Sequence, residues 1–461
     1  MRLLQNKIIK GTLILTVAGF VTRILGFFYR IFLADRLGAS LLGTYQLIFP
    51  VYGIAFTIYG AGIQTAISQI MASSCAISDK VPRNGQDKSC DKAKQILIYG
   101  LAISLCLSLS LLILIQNFAD PIANYLLLEP TCAPYLRILS LLFPFCGTTA
   151  CLHGYYYGLQ NAKIPAMTQI VEQISRLGFV FLLLSLYPLP PEQGCIVAVW
   201  GLVIGEIVSN LYVIFQFIRH QMSPAGKPSA TILPFHKNRL FSRLLSVSIT
   251  LTGTKLIVSL LNSTEAVFIP AALRMYGYSA TEALALYGIL TGMVLPFLLF
   301  PSSITNSIAV MLLPAVADSQ ATGQQKQVRR YVTTSTLYCL LIGFLFTIFF
   351  LLFGNLIGNL CFHNQTAGSF LRILSWLCPF LYLSTTLNSI INGLGKNRQT
   401  FLITVISQSI KLFSLVFCVP RFGIHAYLAG LLVSQIIMTT LSCLCLRDYF
   451  RKERVKELKH H

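Results

Sequence analysis

Tyr135-Leu-Arg-Ile-Leu-Ser-Leu-Leu-Phe-Pro-Phe145 returns 235 residues later as Phe370-Leu-Arg-Ile-Leu-Ser-Trp-Leu-Cys-Pro-Phe380. The same offset links Gly158-Leu159 with Gly393-Leu394, Gln173 with Gln408, and Arg176 with Lys411. So many agreements at one spacing mark an internal repeat. Each copy lies in a long apolar run, and such runs recur along the whole chain. A membrane-crossing helix needs about 20 apolar residues. Working outward from the repeat, the expected helices are Gly11–Ala34, Leu42–Ala72, Ile96–Ile115, Tyr135–Leu159, Ile164–Leu186 and Cys195–Ile218. The second set is Leu244–Pro270, Glu282–Ala317, Val332–Phe353, Ser369–Leu394, Thr400–Val419 and Ile424–Leu446. The expected fold is thus all-α: a polytopic membrane protein of about twelve transmembrane helices in two six-helix repeats. Its parts are an N-terminal lobe (1–219), a cytoplasmic basic linker (220–243), a C-terminal lobe (244–446) and a basic cytoplasmic tail (447–461). An even number of helices per copy makes the repeat parallel, and in transporters such halves meet around a central site.

Composition agrees. Of 461 residues, 55% are apolar and 11% charged, against about 25% charged in soluble domains. The net charge of +20 does not mark a nucleic-acid binder, because the basic residues lie in short loops between apolar runs. The N-terminus, the even-numbered connections and the C-terminus hold 25 Lys and Arg, from Arg2 to Lys459. The opposite loops hold only Arg36, Arg274 and Arg421. This bias places both termini in the cytoplasm of a cell-membrane protein. The first apolar run contains Arg23 and Arg30 and lacks a small-x-small cleavage site, so it is not expected to be a cleaved signal. The thirteen cysteines are odd in number and mostly inside apolar runs. They read as small apolar filler rather than disulfides or metal ligands, and no cofactor is expected.

The first helix carries the sharpest chemical signal. Thr12, Thr16, Gly19, Arg23, Gly26 and Arg30 are spaced by threes and fours, so they form one narrow stripe of small, polar and basic residues. An arginine at membrane depth costs about 2.5–3.5 kcal/mol on insertion scales. It should face protein, a phosphate or a water-filled cavity. Arg30 can instead snorkel to the outer surface. The seventh helix echoes the stripe with Ser248, Thr252, Lys255, Ser259 and Asn262. Arg23, Arg30, Lys255 and Asn262 are therefore the candidate substrate-binding residues, weighed against simple packing through small residues. Glu206 and Glu265 are candidate coupling acids, weighed against plain polar contacts. Glu172 and Arg176, four apart, read as an intrahelical ion pair. Pro50, Pro296, Pro301 and Pro314 mark bends in the second and eighth helices.

The chain has no GxxxxGK[ST] loop and no room for a nucleotide-binding domain, so it does not hydrolyse ATP itself. It shows no HExxH or nucleophile elbow, and no enzymatic activity is expected.

Lys10-Gly-Thr-Leu-Ile-Leu15 and Val21-Thr-Arg-Ile-Leu-Gly-Phe27 resemble the stage V sporulation protein B family, as do Leu261-Asn-Ser-Thr-Glu265 and Leu286-Tyr-Gly-Ile-Leu-Thr-Gly-Met293. The likeness covers nearly the whole chain. That family belongs to the polysaccharide-exporter branch of the MOP exporter superfamily, beside MATE drug exporters and lipid II flippases. The resemblance implies a MATE/MOP-like fold and a flippase or exporter of lipid-linked oligosaccharide in cell-wall or spore-cortex synthesis. Thr22-Arg23-x-Leu25-Gly26-Phe27 is similar to the first-helix motif of lipid II flippases, where arginines line a central cavity, and Arg23 is carried over on that match. Those flippases usually have two further helices, which this chain is expected to lack. Where the family often has aspartate, this chain has Glu265.

The expected partners are a lipid-linked sugar substrate, membrane lipids and cell-wall synthesis enzymes, with no nucleic acid. Two other functions compete with this reading. A MATE-type multidrug exporter would want an acidic cavity for cations, which Arg23 and Lys255 oppose. A non-transporting scaffold for wall synthesis would show fully paired stripes and no cavity.

Overall fold

The computed structural model describes residues 2–78, 86–222 and 237–460. Lys80, Arg83 and most of the basic linker lie outside the described residues. Among those described, every regular element is helical and no strand occurs. The chain begins with α1 (Arg2–Leu47), α2 (Phe49–Phe56), a π-helical turn at Thr57–Ala61, α3 (Gly62–Ser78) and α4 (Gln86–Pro121). Then come α5 (Ala133–Ser140), α6 (Phe143–Gly158), α7 (Lys163–Leu186), α8 (Pro191–Met222) and α9 (Lys237–Tyr276). They are followed by α10 (Ala280–Gly288), a further π turn at Ile289–Val294, α11 (Leu295–Leu299), α12 (Ser302–Ala321) and α13 (Gln325–Phe362); π turns also occur at Ile122–Leu126 and Ser414–Cys418. The last are α14 (Gln365–Leu374), α15 (Cys378–Gly393), α16 (Asn397–Phe413), α17 (Val419–Phe422) and α18 (Ile424–His460).

Ten helical stretches among the described residues are long and apolar enough to cross a membrane, and the bent pair Pro130–Ser140 with Phe143–Gly158 makes eleven. The longest stretch, Ile14–Ala72, has 59 residues, more than twice the roughly 20 a span requires. It is interrupted at Gly38, whose φ of 73° and ψ of 172° suit only glycine. Counted as two spans, it is consistent with the expectation of about twelve. Pro50 and Pro296 begin α2 and α11, and Pro301 precedes α12. These prolines therefore sit at breaks, where a missing backbone donor costs least.

Contacts divide the chain into two compact units. The first comprises Met1–Tyr29 and Thr44–Ser263, the second Arg30–Gly43 and Thr264–His461. These bounds differ from the sequence lobes: residues 244–263 pack with the first unit and residues 30–43 with the second. Within the first unit, α6 packs on α3 and α4 around Ile67, Met71, Cys151 and Tyr156. Gly154 makes the approach close, since a Cβ there would overlap the Gln64 backbone. Such small-residue contacts drive helix association where lipid supplies no hydrophobic force. In the second unit, α15 packs on α12, α13 and α18 around Val316, Leu387, Ile390 and Leu446. There Gly43 of α1 and Gly288 of α10 meet backbone to backbone.

Candidate functional site

Arg23 lies on the unbroken part of α1 and is exposed. Gly19, one turn before it, has nothing within 4 Å of where a Cβ would sit. Gly26, on the same stripe, faces Gln173 of α7, whose Nε2 would be 3.4 Å from such a Cβ. One end of the stripe is thus open and the other rests on a polar side chain. Arg30 is half-buried and belongs to the second unit. The Thr12 side chain lies outside the described residues.

The α9 stripe is arranged differently. Lys255 Nζ donates to the Ala61 carbonyl at 2.8 Å and to Thr65 Oγ1 at 2.7 Å. Ser263 Oγ donates to the Pro50 carbonyl at 3.1 Å. Ser259 faces Gly53, and Thr252 lies against Gly62. Most of the stripe therefore packs on α2, the π turn and α3. Both Lys255 acceptors are uncharged, so its positive charge is held in place without being neutralised by them. Asn262 is exposed.

A polar centre of the first unit lies between α6, α7 and α8. Arg176 pairs with Glu172, as their four-residue spacing predicts. Gly201 and Gly205 let α8 lie directly over this pair, since a Cβ at Gly205 would be 3.0 Å from the Glu172 carbonyl and 3.2 Å from Arg176 Cβ. Beside them Glu206 is 8% exposed, and its Oε1 has no hydrogen-bond partner. Asn210 Nδ2 donates to the Phe145 carbonyl and to Thr149 Oγ1, both at 3.1 Å.

The second unit holds a counterpart. Glu265, also 8% exposed, accepts from Lys411 Nζ through Oε2 and from Tyr427 Oη through Oε1, each at 2.7 Å. Gln435 Nε2 donates to Ser384 Oγ at 2.5 Å, and Thr439 Oγ1 to the Phe380 carbonyl at 3.1 Å. A cavity of about 190 Å³ adjoins Glu265, Lys411, Tyr427, Ser434 and Gln435. The two centres are related by the repeat. Phe145 and Phe380 accept equivalent bonds from Asn210 and Thr439, which sets an offset of 229 between α8 and α18. Gly201-Leu-Val-Ile-Gly-Glu-Ile207 then aligns with Gly430-Leu-Leu-Val-Ser-Gln-Ile436, placing Glu206 opposite Gln435. That match was present in the sequence, but at six residues less than the 235 of the other pairs.

A family described as polysaccharide biosynthesis protein matches residues 8–320. The chain belongs to that family. A second family, described as MatE, matches residues 246–418. The family member is 27% identical to stage V sporulation protein B of Bacillus subtilis (strain 168), across 95% of this chain and 83% of the relative. It is 23% identical to the lipid II flippase MurJ of the same organism, across 89% and 77% respectively. Its fold is similar to an inward-facing multidrug-resistance MATE transporter of the MOP superfamily, with a TM-score of 0.71 and 14% identity over 95% of this chain and 96% of that one. Its long apolar helices make it a multi-pass membrane protein.

Proposed function

We propose that this protein flips a lipid-linked oligosaccharide, a polysaccharide or peptidoglycan precursor, across the cell membrane by alternating access. The observation that carries this reading is Arg23, exposed beside the open Gly19 face of a membrane-spanning helix. A guanidinium there has the charge and the donor geometry to take a pyrophosphate. The lipid tail would remain in the bilayer while the sugar passes. The names of two relatives, a sporulation protein and a lipid II flippase, support a wall or spore-cortex precursor as cargo. A multidrug exporter of cations is disfavoured by the same arginine. The decisive experiment is reconstitution into vesicles with a fluorescent polyprenyl-pyrophosphate sugar. Protein-dependent transfer between leaflets supports the reading, and transfer of cationic dyes instead would overturn it.

Both termini are assigned to the cytoplasm on the loop charges. Ser279 caps α10 in a reciprocal bond with Glu282, so the neighbouring Thr281 is the better probe position. In a background lacking other labelled thiols, Thr281→Cys is expected to react with an impermeant reagent from outside intact cells. Gln324→Cys should react only after permeabilisation. The reverse pattern would invert the topology.

Coupling is assigned to Glu206, a buried acid with an oxygen left without a partner. Ionisable groups at membrane depth mark ion pathways. Glu206→Gln is expected to remove the dependence of transport on the proton or sodium gradient while leaving membrane levels normal. Vesicle transport measured with and without each gradient checks this, and an unchanged dependence takes Glu206 out of the mechanism.

A further inference from the structure

We propose that the C-terminal half carries its own counter-cation: the tethered Lys411 ammonium holds the place against Glu265 and Tyr427 that a free monovalent cation would otherwise take. Glu265 then couples to no imported ion. This refines the coupling part of the proposed function and rests on that reading.

Three observations converge on it. Both Glu265 oxygens are committed, Oε2 to the Lys411 ammonium and Oε1 to the Tyr427 hydroxyl, at 2.7 Å each. Each oxygen keeps a further lone pair, but an ion arriving there would sit beside the Lys411 ammonium already bonded to Oε2, and like charges repel. Next, the charge inventory differs between the repeats. The first unit sets Glu172 and Glu206 around Arg176, two carboxylates to one guanidinium. The second sets Glu265 against Lys411 and places Gln435 where the first has Glu206. An amide at that position leaves the second centre neutral, and a neutral centre needs no imported charge. Finally, the 190 Å³ cavity beside the pair is bordered by Ser434 and Gln435. Together with Glu265 and Tyr427 these are oxygen-bearing groups of the kind hard cations take. Deleting the lysine side chain would leave an acid facing that space, a latent site for sodium.

The test needs no transported lipid, so its failure is distinguishable from failure of the flippase reading. Purified protein is melted in sodium chloride and in N-methylglucamine chloride at equal ionic strength. Any sodium response of the wild type is expected to be unchanged by Glu265→Gln. Lys411→Ala should melt lower than wild type without sodium and regain several degrees as sodium rises, saturably, as binding to the folded state requires. The double variant Glu265→Gln/Lys411→Ala should lose that response. A Lys411→Ala protein that melts identically in both salts overturns the proposal. So does a wild-type sodium response that Glu265→Gln abolishes. Should Lys411→Ala not accumulate in either salt, wild type and Glu265→Gln decide alone: an equal sodium response supports the proposal, and a wild-type response lost in Glu265→Gln overturns it.

Discussion

Arg23→Ala is expected to abolish transport of the lipid-linked sugar, and Arg23→Lys to keep part of it, with both proteins at normal levels in the membrane. The guanidinium can hold a phosphate through two parallel bonds, and lysine keeps the charge without that fork. Hydrogen bonds to charged groups contribute about 1.5–3 kcal/mol each, so losing the group should lower transport by at least roughly tenfold. The exposed setting of Arg23, with Gly19 open beside it, means that truncation leaves no cavity in a packed core. The same pair of changes at Arg30, half-buried and grouped with the second unit, should matter less. Normal transport by Arg23→Ala would end the anion-site reading. If that variant vanishes from the membrane, binding of the pyrophosphate lipid to purified wild type and Arg23→Lys supplies the answer.

The second large effect is expected at Gly43. A Cβ there would overlap the Leu284 carbonyl oxygen and lie 2.9 Å from its carbon, and one at Gly288 would lie 2.6 Å from the Gly43 nitrogen. The obstacles are backbone atoms, so no side chain can swing aside and α1 must separate from α10. Overpacking typically costs about 1–3 kcal/mol, and Gly43→Leu should exceed that and fail to accumulate. Gly43→Ala should melt clearly below wild type. Gly178 and Gly253 have nothing within 4 Å of a Cβ, and alanine at either should be neutral or mildly stabilising, because glycine is a poor helix former. Melting of the purified variants checks the contrast, and equal midpoints for Gly43→Ala and Gly253→Ala would contradict the close contact.

The helices were legible because membrane spans need only length and apolarity, signals that each run carries by itself. The Glu172–Arg176 pair was legible for a similar reason: four residues on one helix fix the meeting. The Glu265 site was not. Lys411 and Tyr427 are 146 and 162 residues away from it, and no local period announces such a meeting. The sequence places Lys255 on a stripe that copies that of Arg23. Its two uncharged acceptors, Ala61 and Thr65, depend on how α9 lies along α3. Of the π turns among the described residues, those at Thr57–Ala61 and Ile289–Val294 bear on the bends, and one extra residue in a helical turn leaves little trace in an apolar run. They fall on the second and eighth expected helices, where the sequence marks bends by prolines alone.

The two compact units do not share the boundary of the lobes read from the sequence, and this bears on recombination. A chimera of two family members joined in the 220–243 linker respects the two lobes read from the sequence. It would nevertheless set one parent's Lys255, Ser259 and Ser263 against the other parent's Ala61, Gly53 and Pro50. A crossover at Ser263 and Thr264, with residues 30–43 taken from the second parent, keeps every such contact within one lineage. Exchange between lineages should therefore be tolerated at the inner breakpoint long before it is tolerated at the linker.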